Sequence, residues 1–380
     1  MLILSVALAL QTAQPAPPRW DAALRWTVGA ADSGPVFAAI LSAAVDRSGT
    51  AYVLDSVDPF VHEISAAGRL VRSFGALGDG PGEFRQPRRL GWAGERLVVA
   101  DGAHDRITLL DRRGRAGGTT SLTAKPAPPA SGLRALARAP DGAQLAMGVS
   151  ADADRAKGLV SHTPLFRTTA DGTAITHTVA RVVTRRQTMF LPLRVNGLAG
   201  KGWFRQPFGD DAVWDVAPDG AGVVIVDRAA AAGPLATHFT VVRLSPVGDT
   251  IFSTRVPYTP RALDDATLAH WLDPKRYAPA NKSVRVEIDP GEIRRALYRP
   301  RYFPPAESVG VGRNGWVWVQ RTSSVADKTT ELLVLSERGA VLGRVTVPNG
   351  ERFLQATDSL LWTTGRGADD EPTLSLYRFK

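Results

Sequence analysis

Apolar and polar residues alternate in short runs along most of the chain, the period of strands with one buried face. Arg69-Leu70-Val71-Arg72-Ser73-Phe74 and Ala340-Val341-Leu342-Gly343-Arg344-Val345 are two such runs. Each follows a repeated signal, a large aliphatic residue four positions before a glycine: Ile64 and Gly68, Leu110 and Gly114, Leu244 and Gly248, Leu335 and Gly339. Phe166 with Asp171-Gly172 is a looser copy. A tight turn between strands needs a residue at positive φ, which glycine supplies without steric cost. Upstream of each copy, a second turn precedes a strand rich in β-branched and aromatic residues. These turns are Asp46-Arg47-Ser48-Gly49, Ala93-Gly94, Pro140-Asp141-Gly142, Pro218-Asp219-Gly220 and Arg313-Asn314-Gly315. A degenerate sixth copy runs from Phe353 through Thr357-Asp358-Ser359 to Thr363.

Each unit predicts a four-stranded meander. Such a sheet cannot bury both faces alone, so copies must stack. Radial stacking of six copies gives the expected fold class, an all-β, six-bladed β-propeller of four-stranded antiparallel blades. The sixth copy stops one strand short, its last strand lying near Thr373 to Tyr377. A spare strand at the N-terminus, Leu24 to Ala30, matches the fourth strand of the first copy, Leu70 to Ala76. The N-terminal strand is therefore expected to complete the last blade and remove two open sheet edges.

Two stretches interrupt the spacing, at about 179–207 and 258–305. The first is Arg-rich and holds Met189-Phe190-Leu191-Pro192-Leu193 and Trp203-Phe204. The second predicts one helix near Leu263–Leu272 and another starting at Asp289-Pro290-Gly291-Glu292, each with an acidic residue at its start. Insertions this long in a compact domain are usually functional or disordered. At the chain start, the apolar run Leu2 to Leu10 leads into Gln11-Thr12-Ala13-Gln14-Pro15-Ala16. That is the length and flank of an export signal, although no basic residue precedes it. Residues 1–16 are expected to be a cleaved signal and 20–380 an exported propeller, periplasmic or secreted. The run is too short to span a bilayer.

The segment Gly78-Asp79-Gly80-Pro81-Gly82-Glu83-Phe84-Arg85-Gln86-Pro87 resembles the blade junction of NHL-repeat propellers. Val98-Val99-Ala100-Asp101-Gly102-Ala103-His104-Asp105-Arg106-Ile107 is similar to that family's strand–turn–strand core. The clear likeness covers about 45–115, and Gly291 to Val319 resembles late blades of exported bacterial six-bladed propellers. The resemblance implies a fold that hosts lyases, lactonases and pure binding scaffolds, so function must come from the site.

Composition narrows the chemistry. The 380 residues include no cysteine, which excludes disulfides, thiol nucleophiles, iron–sulfur clusters and cysteine zinc sites. The net charge is +9, but no block of five or six consecutive basic residues marks a nucleic-acid tract. The three glycines of the 78–82 loop serve a change of chain direction, since no helix with a lysine follows for phosphate binding. None of His62, His104, His162, His177, His238 or His270 falls where an inner strand begins, against the zinc site of an amidating lyase. His104 beside Asp101 and Asp105 invites a general-base role, but no nucleophile is placed near it. There is no Gly-x-Ser-x-Gly elbow.

In a propeller the ligand site sits at one mouth of the channel, lined by the loops that lead into the inner strands. Those loops offer Arg88, Arg89, Ser131, Asp210, Asp211, Glu307, Ser308, Glu351 and Arg352. Arg88, Arg89, Asp210, Asp211, Glu307 and Arg352 are the candidate ligand-binding residues, a mixture suited to a small charged ligand. Trp203, Phe204 and Phe208 near Arg194, Lys201 and Arg205 form a second candidate surface, able to stack on sugars or bases. The expected function is a non-catalytic, monomeric scaffold for a protein, glycan or small charged ligand, with no cofactor and no nucleic acid. The alternative is a lactonase-like, divalent-metal-dependent hydrolase or lyase in the channel. Asp210, Asp211, Glu307 and Glu351 would then offer oxygens to calcium.

Overall fold

Six antiparallel sheets of one build follow each other along the chain in the computed structural model. It describes residues 17–29, 34–128, 130–150, 162–184, 188–228, 238–277 and 285–380. The expected signal at 1–16 lies outside the described residues. Sheet I runs Ile40–Val45, Ala51–Asp55, Val61–Ile64 and Leu70–Phe74. Sheet II runs Pro87–Ala93, Arg96–Asp101, Arg106–Leu110 and Ala116–Ser121. Sheet III runs Gly132–Arg138, Gln144–Val149, His162–Thr168 and Ile175–Val183. Sheet IV runs Val213–Val216, Val223–Asp227, His238–Leu244 and Thr250–Pro257. Sheet V holds Ser308–Val311, Val317–Gln320, Thr329–Leu335 and Val341–Pro348, with Arg19–Trp20 added in parallel at its edge. Sheet VI holds Arg352–Ala356, Leu360–Arg366 and Pro372–Phe379.

The fourth strand of sheet VI is Ala22–Val28 from the other end of the chain, paired from Ala22↔Phe379 to Val28↔Leu374. This is the pairing expected for the spare N-terminal strand, with a slightly earlier start. Its Trp26 ring lies against Gly68 of the neighbouring sheet. Gly68 has φ +79, and a Cβ there would come within 2.9 Å of the indole. The repeated glycine thus serves two ends, the turn and the approach of the next sheet.

The turns show why the repeat signal holds. In each, the residue after the aliphatic anchor caps the loop with its side chain. Asp111 Oδ1 accepts from the Arg113 and Arg115 amides, and Ser336 Oγ accepts from Arg338 and Ala340. Such local caps compete with longer-range pairing and so define hairpins early.

The core lies between the sheets. Apolar clusters join I to II through Leu54 and Leu90, II to III through Ile107 and Ala135, and III to IV through Leu165 and Val216. Others join IV to V through Val241 and Val319, V to VI through Trp318 and Leu361, and VI back to I through Trp362 and Val53. The III–IV contact is close enough that a Cβ on Gly220, at φ +66, would meet the Arg138 carbonyl at 2.1 Å.

The two interruptions share a single further core. Thr188–Val195 and Leu198–Arg205 form a hairpin joined by Val286–Glu287. Residues 179–183 belong to the last strand of sheet III. The second stretch contributes helix α1, Asp265–Leu272, a 3-10 turn Pro274–Tyr277, and helix α2, Pro290–Ala296. Asp264 caps α1 through the Thr267 amide, and Asp289 caps α2 through Gly291. Met189, Leu191, Phe208, Tyr277, Ile293 and Phe303 bury together, so hairpin and helices make one inserted module. No helix among the described residues is long and apolar enough to cross a membrane.

Candidate functional site

The module sits over the side where the inner strands begin, and an open cleft of about 800 Å3 lies beneath it. Its floor comes from the starts of sheets V, VI and I, and its roof from Phe204, Arg205, His270, Trp271 and Tyr277 of the module. Fixed contacts hold the roof down. Thr267 Oγ1 lies 3.0 Å from Ser324 Oγ, Tyr258 donates to the Phe303 carbonyl at 2.8 Å, and Arg261 forks onto Asp327 at 2.6 and 3.1 Å. A second cavity of about 550 Å3 lies on the other side of the hairpin and shares Phe204, Arg205 and Glu307 with the first.

Arg352 is presented by a clamp on its two neighbours. The buried Gln320 donates to the Glu351 carbonyl at 2.8 Å and accepts from the Phe353 amide at 3.1 Å. The Glu351 carboxylate accepts from Thr363 Oγ1 at 2.5 Å and from the Tyr377 hydroxyl at 2.7 Å. Burial, and then the carboxylate it serves, raise the Tyr377 hydroxyl's pKa, so Tyr377 remains a donor. The backbone on both sides is therefore rigid, and the Arg352 guanidinium reaches into the cavity. Surrounding protein lowers its pKa and Glu307 opposes that, while Arg205 and Arg366 lower it further.

Arg205, Arg276 and Arg366 line the same space. Arg205 donates to the Glu307 carbonyl at 2.9 Å, and Arg276 lies over the Trp271 ring at 5.3 Å. Neither of them, nor Arg352, has a carboxylate within 4.0 Å among the described residues. Arg366 pairs with Asp370 at 3.1 Å. Burial lowers the pKa of His270, with Arg276 adding to that, so its ring is neutral at pH 7. Burial pushes the Tyr277 hydroxyl up to about 12, and it donates to the Trp271 carbonyl at 2.6 Å. The buried Thr322 Oγ1, on the cavity wall, has no hydrogen-bond partner.

The second cavity contains an unusual cation. Arg228 is 5% exposed. Its Nε donates to the Asp211 carbonyl and its Nη1 to the Ala306 carbonyl, both at 2.6 Å. No carboxylate among the described residues reaches ion-pair distance of it. Burial pushes its pKa down to about 10, and Arg205 adds to this, while Asp211, Asp210 and Glu307 act the other way. A buried guanidinium without a carboxylate partner is costly unless something else supplies negative charge.

The six candidate residues divide. Glu307 lines both cavities and Arg352 the larger one. Asp211 is buried beside Arg228, and Asp210 accepts from the Tyr298 hydroxyl at 3.1 Å. Arg88 and Arg89 line neither cavity. Arg89 instead crosses to sheet IV, pairing with Asp215 at 2.5 Å and donating to the Val216 carbonyl at 2.7 Å. Beside it the Trp92 amide donates to the Pro218 carbonyl at 2.7 Å. Sheets II and IV therefore touch directly at this depth, and the open volume lies above, under the module.

The second candidate surface also changes. Trp203 is 42% exposed, but Phe208 is 1% exposed and belongs to the module's core. Arg205 was visible in that group; Arg228, Arg276, Arg366 and His270 were not singled out as ligand groups. His104 is fixed between two carboxylates, Asp101 at 2.7 Å and Asp79 at 2.6 Å, and holds the 78–86 junction. Among the described residues no group of three or more His, Asp or Glu is arranged to hold a metal ion.

No family model matches the chain, and no curated protein matches it. Among solved structures, a DUF4221 member from Bacteroides vulgatus is similar over 95% of this chain and 98% of its own, at 9% identity and TM-score 0.50. A gluconolactonase from Xanthomonas campestris is similar over 98% and 99%, at 15% and 0.42. BamB from Moraxella catarrhalis is similar over 88% and 83%, at 9% and 0.30. The first of these supports a propeller-type fold and nothing about activity.

Proposed function

We propose that the chain is an exported, NHL-like six-bladed β-propeller whose inserted module and ring together bind a small anionic ligand without catalysis. Six four-stranded sheets, each packed on the next and the last on the first, support the blade count. The observation that carries the binding role is the set of guanidinium groups of Arg205, Arg276 and Arg352. They face one cavity without carboxylate partners, beside the aromatic walls of Trp271 and Tyr277. The volume, about 800 Å3, suits a small molecule. Glu351 is committed to Thr363 and Tyr377, which disfavours its use as a metal ligand.

Calorimetric titration of carboxylates and phosphates into the full chain tests this. Binding should persist in a chelator. Arg352→Gln should weaken it about tenfold to a hundredfold at unchanged melting temperature, the range for one charge-assisted contact. Absence of binding by any anion, or a strict need for added calcium, would overturn the proposal and return the lactonase-like alternative to first place.

A further inference from the structure

The two cavities meet at Phe204, Arg205 and Glu307, which line both. Beyond that waist the larger cavity holds Arg276, Arg352 and the Asp370-paired Arg366, and the smaller holds the nearly inaccessible Arg228. Arg228 lines only the smaller cavity and Arg352 only the larger, so the shared residues form the waist that joins the two ends. From these observations we infer that the site takes one elongated dicarboxylate. One carboxylate lies at Arg352 in the larger cavity, the other at Arg228 in the smaller, and the linker passes Arg205 and Glu307.

Four observations carry this. Arg228 has Nε and Nη1 on the Asp211 and Ala306 carbonyls and no carboxylate partner among the described residues, although it is 5% exposed. A ligand carboxylate would supply the negative charge that its burial lacks. Thr322, on the wall of the larger cavity, likewise has a buried Oγ1 without a hydrogen-bond partner. The smaller cavity is walled by Trp203, Phe204 and Trp214 and edged by Thr188 and Ser308, which suits an apolar linker ending in a polar group. Finally, Asp210, Asp211 and Glu307 offset only part of the burial of Arg228, so what is missing there is a small negative charge, which suits a singly charged carboxylate better than a doubly charged phosphate.

The inference rests on the anion-binding role proposed above, and a length series separates the two. Linear α,ω-dicarboxylates of increasing chain length, and the monomethyl ester of each, are titrated into the full chain by calorimetry. Affinity is expected to peak at one length, with the dicarboxylate at least about tenfold tighter than its monoester. In Arg228→Lys the dicarboxylate should fall to the level of its monoester, while monoester binding stays unchanged. In Arg352→Gln both should weaken. Because Arg228 also holds two carbonyls, the unmodified chain's length profile decides the matter if the variant does not fold. A flat profile with diacid and monoester equal would overturn the two-ended site and leave the single anion site standing. No binding by either member of any pair would overturn both.

Discussion

Asp101 shows how one side chain can organise a junction. It is fully buried, and its carboxylate accepts from His104 and from the amides of Arg85, Gln86 and Ala103. Burial by itself would raise its pKa, but the His104 bond and the three amide bonds together outweigh that and hold it low. Asp55 repeats the arrangement in sheet I, accepting from Ala38 and Ala39. A carboxylate with a depressed folded pKa stabilises above its unfolded value, about 3.9, and that contribution is lost as pH falls through the folded value. Asp101→Asn should therefore lower stability at pH 7 by about 2–4 kcal/mol, since it strands buried donors. Its penalty should shrink in urea titrations repeated towards pH 3. A penalty independent of pH would show that the charge is immaterial. The sequence marked Asp101 as part of a strand–turn–strand core. Its clasp on the preceding loop depended on Arg85 and Gln86 folding back, which no local pattern specifies.

Among elements, the strand Ala22–Val28 carries the most consequence for its length. It pairs with Leu374 to Phe379, buries Val28, and seats Trp26 on Gly68, with the indole N–H donating to the Ala66 carbonyl at 3.0 Å. It thus ties the two chain ends and sheets VI and I in one place. A chain lacking residues 1–29 should melt about 5 °C or more below the full chain by circular dichroism, because several kcal/mol of pairing and burial are removed. An unchanged melting temperature would mean that sheet VI stands with three strands. The helices α1 and α2 were legible from their acidic caps and apolar spacing. Their union with the 188–205 hairpin in one core was not, because Met189 and Ile293 lie far apart in sequence and nothing local records that they touch.

On the scale of the whole molecule, the charge of +9 is dispersed rather than gathered. Many arginines are answered by acids: Arg72 by Glu63, Arg85 by Asp79, Arg167 by Asp141, Arg261 by Asp327 and Arg344 by Glu331. Among those with no ion pair in the described residues, Arg205, Arg276 and Arg352 line one cavity. A long polyanion needs a continuous track of free cations, with counterion release that makes its binding fall steeply with salt. Fluorescence anisotropy with a labelled heparin oligosaccharide should show weak binding that does not compete with ligand in the cavity. Tight, steeply salt-dependent binding would instead make the arginine surface a polymer site.

The repeat of strand, glycine turn and strand was written in the chain itself, because turn geometry and alternation are local and each copy repeats the same constraint. That repeat sufficed for an all-β fold of stacked four-stranded sheets, and the missing strand at one end matched the spare strand at the other. Glu307 and Arg352 were legible because they flank inner strands. Only the tertiary structure assigned Arg89 to a bridge between sheets II and IV, removed Arg88 from the cavities, buried Arg228, and gathered Arg205 and Arg276 above Arg352. Those placements depend on how the sheets pack on one another and how the inserted module docks on them. Docking is decided by side-chain complementarity between segments distant in sequence, and periodicity along a single segment carries no record of it.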